Sequence, residues 1–402
     1  MGNKKGNSLL ETRRQNRILI KDTIYRMEPV TRAEIAEQLE LTLPTITTSV
    51  NDMITEGLLE EIPLPDEMLV NFKGRRPVAI GFAADAALAI GVELGPYATR
   101  AVLMNLKGGI LEYSERQPGD EDYEIMLEQV AVQIQELIEK AGNGNLLGVG
   151  IGLPGFIDGS RGVVRSIRKS GWVGRHLAAD MQEKLGVPVM IDNNVRLRAV
   201  GYEMSSHEIR PDSFAYFYVS KGIACPLMVK DNVLSGYTAG AGEVGQMIVS
   251  VEKRGNELIE KTLDQLAGET VIFEECQAEM EAGNAEILRD EVEKAGTLAM
   301  KQVIKAQVRG DAAVDRILSE KLEYLGTALA NVVNLINPGF VVVDSYIITN
   351  PENARKLKES AKKKFYGLNE EEIQIVFKEF DHFSGAKGAA YFVIRRCFLQ
   401  NG

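Results

Sequence analysis

The stretch Thr31-Arg-Ala-Glu-Ile-Ala-Glu-Gln-Leu-Glu-Leu-Thr-Leu-Pro-Thr45 holds two helix starts separated by a turn. Thr31 followed by Glu34 three residues later is a capping box, in which hydroxyl and carboxylate each satisfy an orphan backbone N–H. Ile35, Ala36 and Leu39 give the short helix that follows one apolar side. Leu41-Thr42 makes the turn. Thr42 is the N-cap of the next helix, and Pro44 sits in its first turn, where a missing N–H costs nothing. That helix runs to Glu56, stops at Gly57 and is expected to bury Ile46, Val50 and Ile54.

Two short helices joined by a tight turn form a helix-turn-helix, whose second helix enters the DNA major groove with its N-terminal residues. Leu43, Thr45, Thr47, Thr48 and Asn51 point outward there, and such side chains suit base edges, thymine methyls and phosphates. Upstream, residues 9–27 read as a helix with Leu10, Ile18, Leu19, Ile24 and Met27 on one stripe, ended by Pro29. Downstream, Leu58–Ile62 reads as a strand broken by Pro63-Leu-Pro-Asp66, and Gly74-Arg-Arg-Pro77 precedes a second strand, Val78–Phe82. This is a hairpin wing with Arg75 and Arg76 at its base. Arginines on an extended arm fit the narrow minor groove of A·T-rich DNA. Residues 1–82 are therefore expected to form a winged helix-turn-helix that binds double-stranded DNA through Arg17, Thr42, Pro44, Thr45, Thr47, Thr48, Asn51, Arg75 and Arg76.

Charge agrees with that placement. The 402 residues carry 46 Lys and Arg against 57 Asp and Glu, a net of −11. Residues 1–27 alone carry seven cations (Lys4, Lys5, Arg13, Arg14, Arg17, Lys21, Arg26) against Glu11 and Asp22, a net of +5. Phosphate affinity comes from such cations. No apolar run reaches the roughly 18 residues that span a bilayer. The first residues, Met1-Gly-Asn-Lys-Lys, lack the apolar core of a secretion signal. Cys225, Cys276 and Cys397 are odd in number and far apart, which points to a reduced, cytoplasmic protein.

Beyond residue 82 the pattern changes to alternating strands and helices. Ala87–Gly95, Thr99–Asn105 and Gly109–Tyr113 read as strands, followed by helix Tyr123–Ala141, strand Leu146–Gly152, helix Gly174–Leu185, strand Val187–Asp192 and helix Val195–Ser205. A second set has strands at 214–220, 224–229, 340–344 and 372–376, several helices between, and closing helices at 352–366 and 385–399. Such alternation gives a layered α/β architecture. Its repetition suggests two lobes, 83–205 completed by 385–402, and 206–384.

Eight segments, in this order, resemble the family that groups bacterial repressors, open reading frames and sugar kinases, the ROK family. They are Asn16-Arg17, Thr31-Arg-Ala-Glu-Ile-Ala36, Gly74-Arg-Arg-Pro77, Gly148-Val-Gly-Ile-Gly-Leu-Pro-Gly-Phe-Ile-Asp158, Gly186-Val-Pro-Val189 with Asp192-Asn-Asn194, Ala241-Gly-Glu-Val-Gly-Gln246, Asn337-Pro338 and Gly385-Ala-Lys-Gly-Ala-Ala390. The likeness is to the repressor branch from end to end. It implies a two-lobed, actin-like ATPase fold behind the DNA-binding head, a homodimer or homotetramer, and a bound sugar effector.

The resemblance also argues against kinase chemistry. The family's enzymes carry an Asp after an Asn where the sugar hydroxyl loses its proton, whereas here the pair is Asn193-Asn194, and an amide is no base. The first phosphate loop, usually Asp-x-Gly-Gly-Thr-Lys, is replaced by Glu93-Leu-Gly-Pro-Tyr-Ala-Thr99. Pro96 lacks a backbone donor and Tyr97 fills space that a glycine leaves free. The second phosphate loop reads Gly222-Ile-Ala-Cys-Pro226, and Val343-Asp-Ser345 stands where a Gly-Gly pair meets the nucleotide. The family zinc is not expected either. Gln246 takes the place of its histidine, Val251–Ala267 contains no cysteine, and His176, His207 and His382 form no ligand-spaced set. No cofactor or metal is expected.

By the same resemblance, the sugar candidates are Asn193, Asn194, Glu243, Gln246 and Asp264, and Trp172 lies near the expected cleft mouth. The segment Pro63–Lys73 is the expected linker coupling effector to DNA. The expected function is a transcriptional repressor of carbohydrate metabolism that senses a sugar or sugar derivative. Two other readings stay open on sequence alone: an active ROK-type sugar kinase with an added head, and a DNA-binding protein whose second domain only dimerises or docks a protein.

Overall fold

A computed structural model of the chain describes residues 9–64, 78–206, 213–230, 232–368 and 372–401. The chain divides into two compact units, residues 1–208 with 383–402, and residues 209–382.

The first unit opens with α1 (Leu9–Met27), β1 (Val30–Thr31), α2 (Arg32–Gln38), α3 (Leu43–Thr55), β2 (Leu59–Pro63) and β3 (Val78–Phe82). The local signals act as read: Thr31 and Glu34 form both halves of a capping box, and Thr42 caps α3 by accepting from the Thr45 N–H. The three strands form an antiparallel sheet in the order β1-β3-β2, with Val30 opposite Ile80 and Leu59 opposite Phe82. β1 was not expected. Two residues carry no alternation to read, and they pair because β3 lies beside them.

Two expected burial patterns need correction. α3 buries Ile46, Val50 and Met53, while Ile54 is only half-buried. The steps of four and three residues follow the helical period, which Ile54 overshoots. In α1, Leu19 is 48% and Met27 40% exposed, and the buried side is Ile20, Lys21, Thr23 and Ile24. This helix touches the wing sheet and also the C-terminal end of the chain. A helix held between two neighbours buries more than one stripe, polar residues included.

The rest of the unit is built on a five-stranded sheet, whose strands are β4 (Leu88–Leu94), β5 (Thr99–Asn105), β6 (Ile110–Arg116), β7 (Leu146–Leu153) and β10 (Val189–Asn193). Their order is β10-β7-β4-β5-β6, parallel at β10-β7-β4 and antiparallel beyond. A small hairpin, β8 (Phe156–Asp158) with β9 (Val163–Ser166), follows β7. Ile90, Val92, Val149 and Ile151 pack with Met126, Val130 and Ile134 of α4 (Tyr123–Ala141) and Leu177 and Met181 of α5 (Leu177–Leu185). Strand side chains alternate faces, so Gly91 and Gly150 face the other way. There the C-terminal helix Ser384–Val393 lies directly on the sheet. A Cβ on Gly91 would come within 2.0 Å of Ala386 O, and one on Gly150 within 2.3 Å of Ala389 O. α6 (Asn194–Met204) packs on this helix just as closely: a Cβ on Gly388 would lie 2.1 Å from Leu197 O, and one on Gly201 2.7 Å from the Gly388 Cα.

The second unit has strands β11 (Ser213–Val219), β12 (Ile223–Ala224), β13 (Leu227–Val229), β14 (Asn232–Val233), β17 (Phe340–Ser345) and β18 (Gln374–Phe377) in one sheet, and a separate hairpin, β15 (Ile248–Arg254) with β16 (Glu257–Thr262). Its sheet runs β14-β13-β11-β17-β18, with β12 beside β11 and the last three strands parallel. The helices are α7 (Leu263–Ala267), α8 (Glu269–Glu281), α9 (Glu286–Ala295), α10 (Met300–Val308), α11 (Ala312–Ile336) and α12 (Pro351–Lys362). α11 supplies Val314, Leu318, Leu322, Leu325 and Leu329 to a core shared with Phe217, Val341 and Val343. Burial pushes the thiols of Cys225 and Cys276 up to about 12. No described helix is long and apolar enough to cross a membrane.

Candidate functional site

α3 presents an exposed N-terminal surface. Thr42, Leu43, Pro44, Thr45, Thr48 and Asn51 are exposed and Thr47 is half-buried. The Thr42 and Thr45 hydroxyls share a 2.8 Å hydrogen bond, and the Thr42 oxygen also accepts from the Thr45 N–H. The Asn51 Oδ1 accepts from Arg32 Nη2 at 3.0 Å, and the same guanidinium reaches Glu61 at 2.9 Å. Arg17 is likewise engaged, donating to Glu56 just past the C-terminal end of α3 through Nη1 at 2.8 Å and through Nη2. This hydrogen-bonded cation holds the Glu56 carboxyl below its ordinary range. Arg75, Arg76 and nearly all of the linker Pro63–Lys73 lie outside the described residues; Pro63 ends β2.

The residues expected at the lost phosphate loop and at the missing base meet in the first unit. Glu93, at 2% exposure, receives Arg198 Nη2 at 2.9 and 2.8 Å on its two oxygens and Arg198 Nε at 3.1 Å. Asn194 Nδ2 donates to the same carboxylate at 3.1 Å. Gly385 makes room for it, since a Cβ there would lie 2.1 Å from the Glu93 carboxyl carbon. A buried carboxylate demands such a partner, because leaving it unpaired costs several kcal/mol. Asn193 is also committed. Its Oδ1 accepts from the N–H groups of Val195 and Arg196 at 2.9 and 3.1 Å, and its Nδ2 donates to Gly155 O at 2.9 Å. Next to it, burial pushes the Asp192 carboxyl up while Arg196 pulls against the rise. Arg198 was not anticipated from sequence, because nothing local pairs it with a residue 105 positions away.

In the second unit, Gln246 and Asp264 come together. Gln246 Nε2 donates to Asp264 Oδ2 at 2.9 Å, and the Ile223 N–H donates to Asp264 Oδ1 at 2.9 Å. The glycines of Ala241-Gly-Glu-Val-Gly-Gln246 serve this geometry. Gly242 has φ +91°, and a Cβ on Gly245 would sit 2.2 Å from Asp264 Oδ1. Gln246 stays exposed and Glu243 is half-buried. The β15–β16 hairpin occupies the segment where a zinc loop would lie, joining directly to Asp264 through the capped start of α7. Among the described residues, no three His, Cys, Asp or Glu side chains are grouped as metal ligands. Asn193 and Asn194 belong to the first unit and Glu243, Gln246 and Asp264 to the second.

Trp172 takes a structural role. It is 2% exposed, its indole N–H donates to Glu121 O at 3.0 Å, and Tyr123 meets it edge-on. It is part of the sheet core rather than a free ring.

The N-terminal head is fastened to the rest of the first unit. Phe82 of β3 lies between Tyr25, at 6.3 Å, and Phe398, at 5.4 Å. Lys21 Nζ donates to the carbonyls of Phe398 and Asn401. Tyr25 OH donates to Met204 O at 3.2 Å. Glu203, on the last turn of α6, pairs with Arg395 and lies 3.8 Å from Arg26 of α1. Glu28 accepts from the Phe82 N–H at 3.2 Å and pairs with Lys107. α6 thus begins at Asn194 and ends against α1. None of these contacts was expected from sequence, since each joins segments far apart in the chain.

A sequence model described as the ROK family matches residues 89–396. The xylose repressor of Caldicellulosiruptor bescii is 26% identical over 336 residues, covering 82% of each chain. The DNA-binding transcriptional dual regulator NagC of Escherichia coli is 22% identical over 395 residues, covering 94% of this chain and 92% of its own. A solved ROK family transcriptional regulator, a homologue of the E. coli MLC protein, superposes with a TM-score of 0.79 at 18% identity, covering 97% of each chain. The fold is a winged helix-turn-helix followed by a two-lobed actin-like ATPase fold.

Proposed function

The chain belongs to the ROK family, and from that premise we propose that it is a DNA-binding transcriptional repressor of carbohydrate metabolism whose kinase-like part senses a sugar or sugar derivative without phosphorylating it. The observation that carries this reading is the Glu93–Arg198–Asn194 cluster. Its amide, Asn194, stands by the resemblance where the family's enzymes carry the aspartate that takes the proton, and here it donates to the Glu93 carboxylate instead. An amide cannot take that proton, which leaves the sugar hydroxyl without its base. Repressors among the relatives, matched across the head as well, support the same reading.

DNA would be held by α3 and the wing of two heads in a homodimer or homotetramer, each pair spanning half-sites about one helical turn or a multiple apart. The effector would be held by Glu243 and the exposed amide of Gln246, which Asp264 orients. Asn193 and Asn194 are the other expected contributors, although Asn193 caps α6 and Asn194 donates to Glu93. That commitment also favours a second reading, in which the C-terminal part only dimerises or docks a protein. An effector shifts operator affinity only through its differential affinity for two states, typically about 1–3 kcal/mol. The twin rod of α6 and the C-terminal helix, running from the Glu93 cluster to α1, is the connector through which such a difference would reach the head.

The test is a thermal-shift screen of the whole protein against sugars, sugar phosphates and ATP. A ligand at a hundred times its dissociation constant stabilises by about 2.7 kcal/mol. A sugar that stabilises and also changes operator binding, with no ATP effect, supports the sensor. Operator binding unmoved by every sugar supports the second reading, and sugar-dependent ATP turnover overturns the loss of catalysis.

A further inference from the structure

α3 is unusual for a helix that reads DNA. Its thirteen residues, Leu43-Pro-Thr-Ile-Thr-Thr-Ser-Val-Asn-Asp-Met-Ile-Thr55, contain no Lys or Arg. The guanidiniums that reach it from neighbouring elements are held by carboxylates: Arg17 by Glu56, and Arg32 by Glu61 while it also binds Asn51. Guanine is marked in the major groove by O6 and N7, two acceptors that Arg or Lys reads. α3 brings no such donor of its own. Adenine is read by an Asn that donates to N7 and accepts from N6. Asn51 Oδ1 already accepts from Arg32, which leaves it one lone pair for a base.

What the N-terminal turns of α3 do present is methyl and methylene surface. Leu43 is an aliphatic side chain left 50% exposed at the first helical position, and Pro44 follows it into solvent. The Thr42 and Thr45 hydroxyls are bonded to each other, which spends much of their polar capacity. Thr48, one turn further on, is exposed as well. Leu43 thus leaves half of its aliphatic surface in solvent at the N-terminal end of α3, away from the buried Ile46, Val50 and Met53. Among the four bases only thymine carries a C5 methyl in the major groove, and aliphatic side chains and threonine methyls recognise it.

We propose that the recognition helix reads thymine methyl groups, with Leu43 as the principal contact and Thr45 and Thr48 beside it, and that it reads no guanine. This rests on the DNA-binding reading above and adds which base feature is recognised. Sequence preference would then depend on the apolar face of α3, while phosphate attraction comes from elsewhere in the head.

The experiment uses the full-length protein and a pool of random duplexes, from which the best-bound duplex is selected by mobility shift at low salt. That duplex is resynthesised with deoxyuridine replacing thymidine, which removes the C5 methyl and nothing else. The uracil duplex should bind more weakly by roughly fourfold for each contacted thymine, the equivalent of about 0.8 kcal/mol per buried methyl. Leu43→Ala should bind the uracil duplex as the wild type does but lose most of the thymine preference. Thr45→Ser, which keeps the hydroxyl paired with Thr42, should narrow the preference by a smaller step. Equal binding of the two duplexes by the wild type, or an undiminished preference in Leu43→Ala, would overturn the proposal. Failure to select any duplex would sink the DNA-binding reading itself, an outcome distinct from equal binding of both.

Discussion

Arg198 closes both carboxylate oxygens of Glu93, with Nη2 at 2.9 Å from Oε1 and 2.8 Å from Oε2, and neither side chain reaches solvent. Breaking a buried pair leaves a lone charge, at a cost of about 3–5 kcal/mol. Arg198→Ala should therefore destabilise the protein by that order in denaturant unfolding. Glu93→Gln should do so by less, because the neutral amide still accepts from Arg198 and Asn194. A loss below about 1 kcal/mol for Arg198→Ala would mean that the pair is not buried in solution.

Asn194→Asp tests whether one substitution restores a base. The new carboxylate would stand next to Glu93, and two carboxylates sharing a site cannot both ionise freely. The variant should be less stable than the wild type near neutral pH and should show no sugar-dependent ATP turnover in a coupled assay. Turnover in this variant would mean that the nucleotide site survives despite Pro96 and Tyr97.

Lys21 gives a pH dependence with a definite sign. Burial, with repulsion from Arg17, pushes its ammonium down to about 8 from 10.5. Below pH 8 the group is charged in both folded and unfolded chains, and the folded state bears the full cost of burying it. Between about 8 and 10 the folded chain sheds the proton while the unfolded chain keeps it, so stability should rise with pH. The rise should appear as the difference between wild type and Lys21→Met in unfolding midpoints measured across that window. A flat difference would show that Lys21 is hydrated.

Glu203 is the junction of α6, α1 and the C-terminal turn. Glu203→Gln should leave Arg395 buried without its counter-charge and lower stability by a few kcal/mol. If α6 transmits effector binding, the same variant should bind operator with or without effector at nearly equal affinity, while its effector-induced thermal shift persists. Retention of the full effector response on DNA would rule out this route.

Glycine contacts offer an independent check on the rod. Gly388→Ala would drive a methyl group to within 2.1 Å of Leu197 O and should cost about 1–3 kcal/mol or more. Gly222→Ala, where a Cβ meets nothing within 4 Å, should stay within about 0.5 kcal/mol of the wild type. Comparable losses for the two would contradict the close helix packing.

The head was legible because its signals are local. Thr31, Glu34, Thr42, Pro44 and Gly57 state where helices begin and end, and the structure uses each one. The alternating strands and helices were legible for the same reason. The β15–β16 hairpin was not, because Val251 and Leu258 are exposed among charged neighbours and give no clean alternation. The candidate site was readable only as a set of residue types. Asn193 is spent on capping α6, Asn194 on Glu93, and Asp264 on Ile223 and Gln246; these are facts of tertiary approach that no spacing encodes. Trp172, whose neighbouring sequence left open a ring-stacking or a structural role, is a core residue.

The bond from Lys21 to Phe398 joins residues 377 positions apart, and the whole of residues 209–382 lies between them. The first unit is therefore a discontinuous one, interrupted by an inserted body that can reach its own core from contiguous sequence. During synthesis the inserted body emerges whole before the C-terminal helix can cover Gly91 and Gly150. Until then Gly91 and Gly150 are uncovered, and α1 lacks its contacts with Phe398 and Asn401. Such late, long-range closure makes for slow folding and for an exposed intermediate. The segment that holds the head in place is thus also the keystone of the folding order.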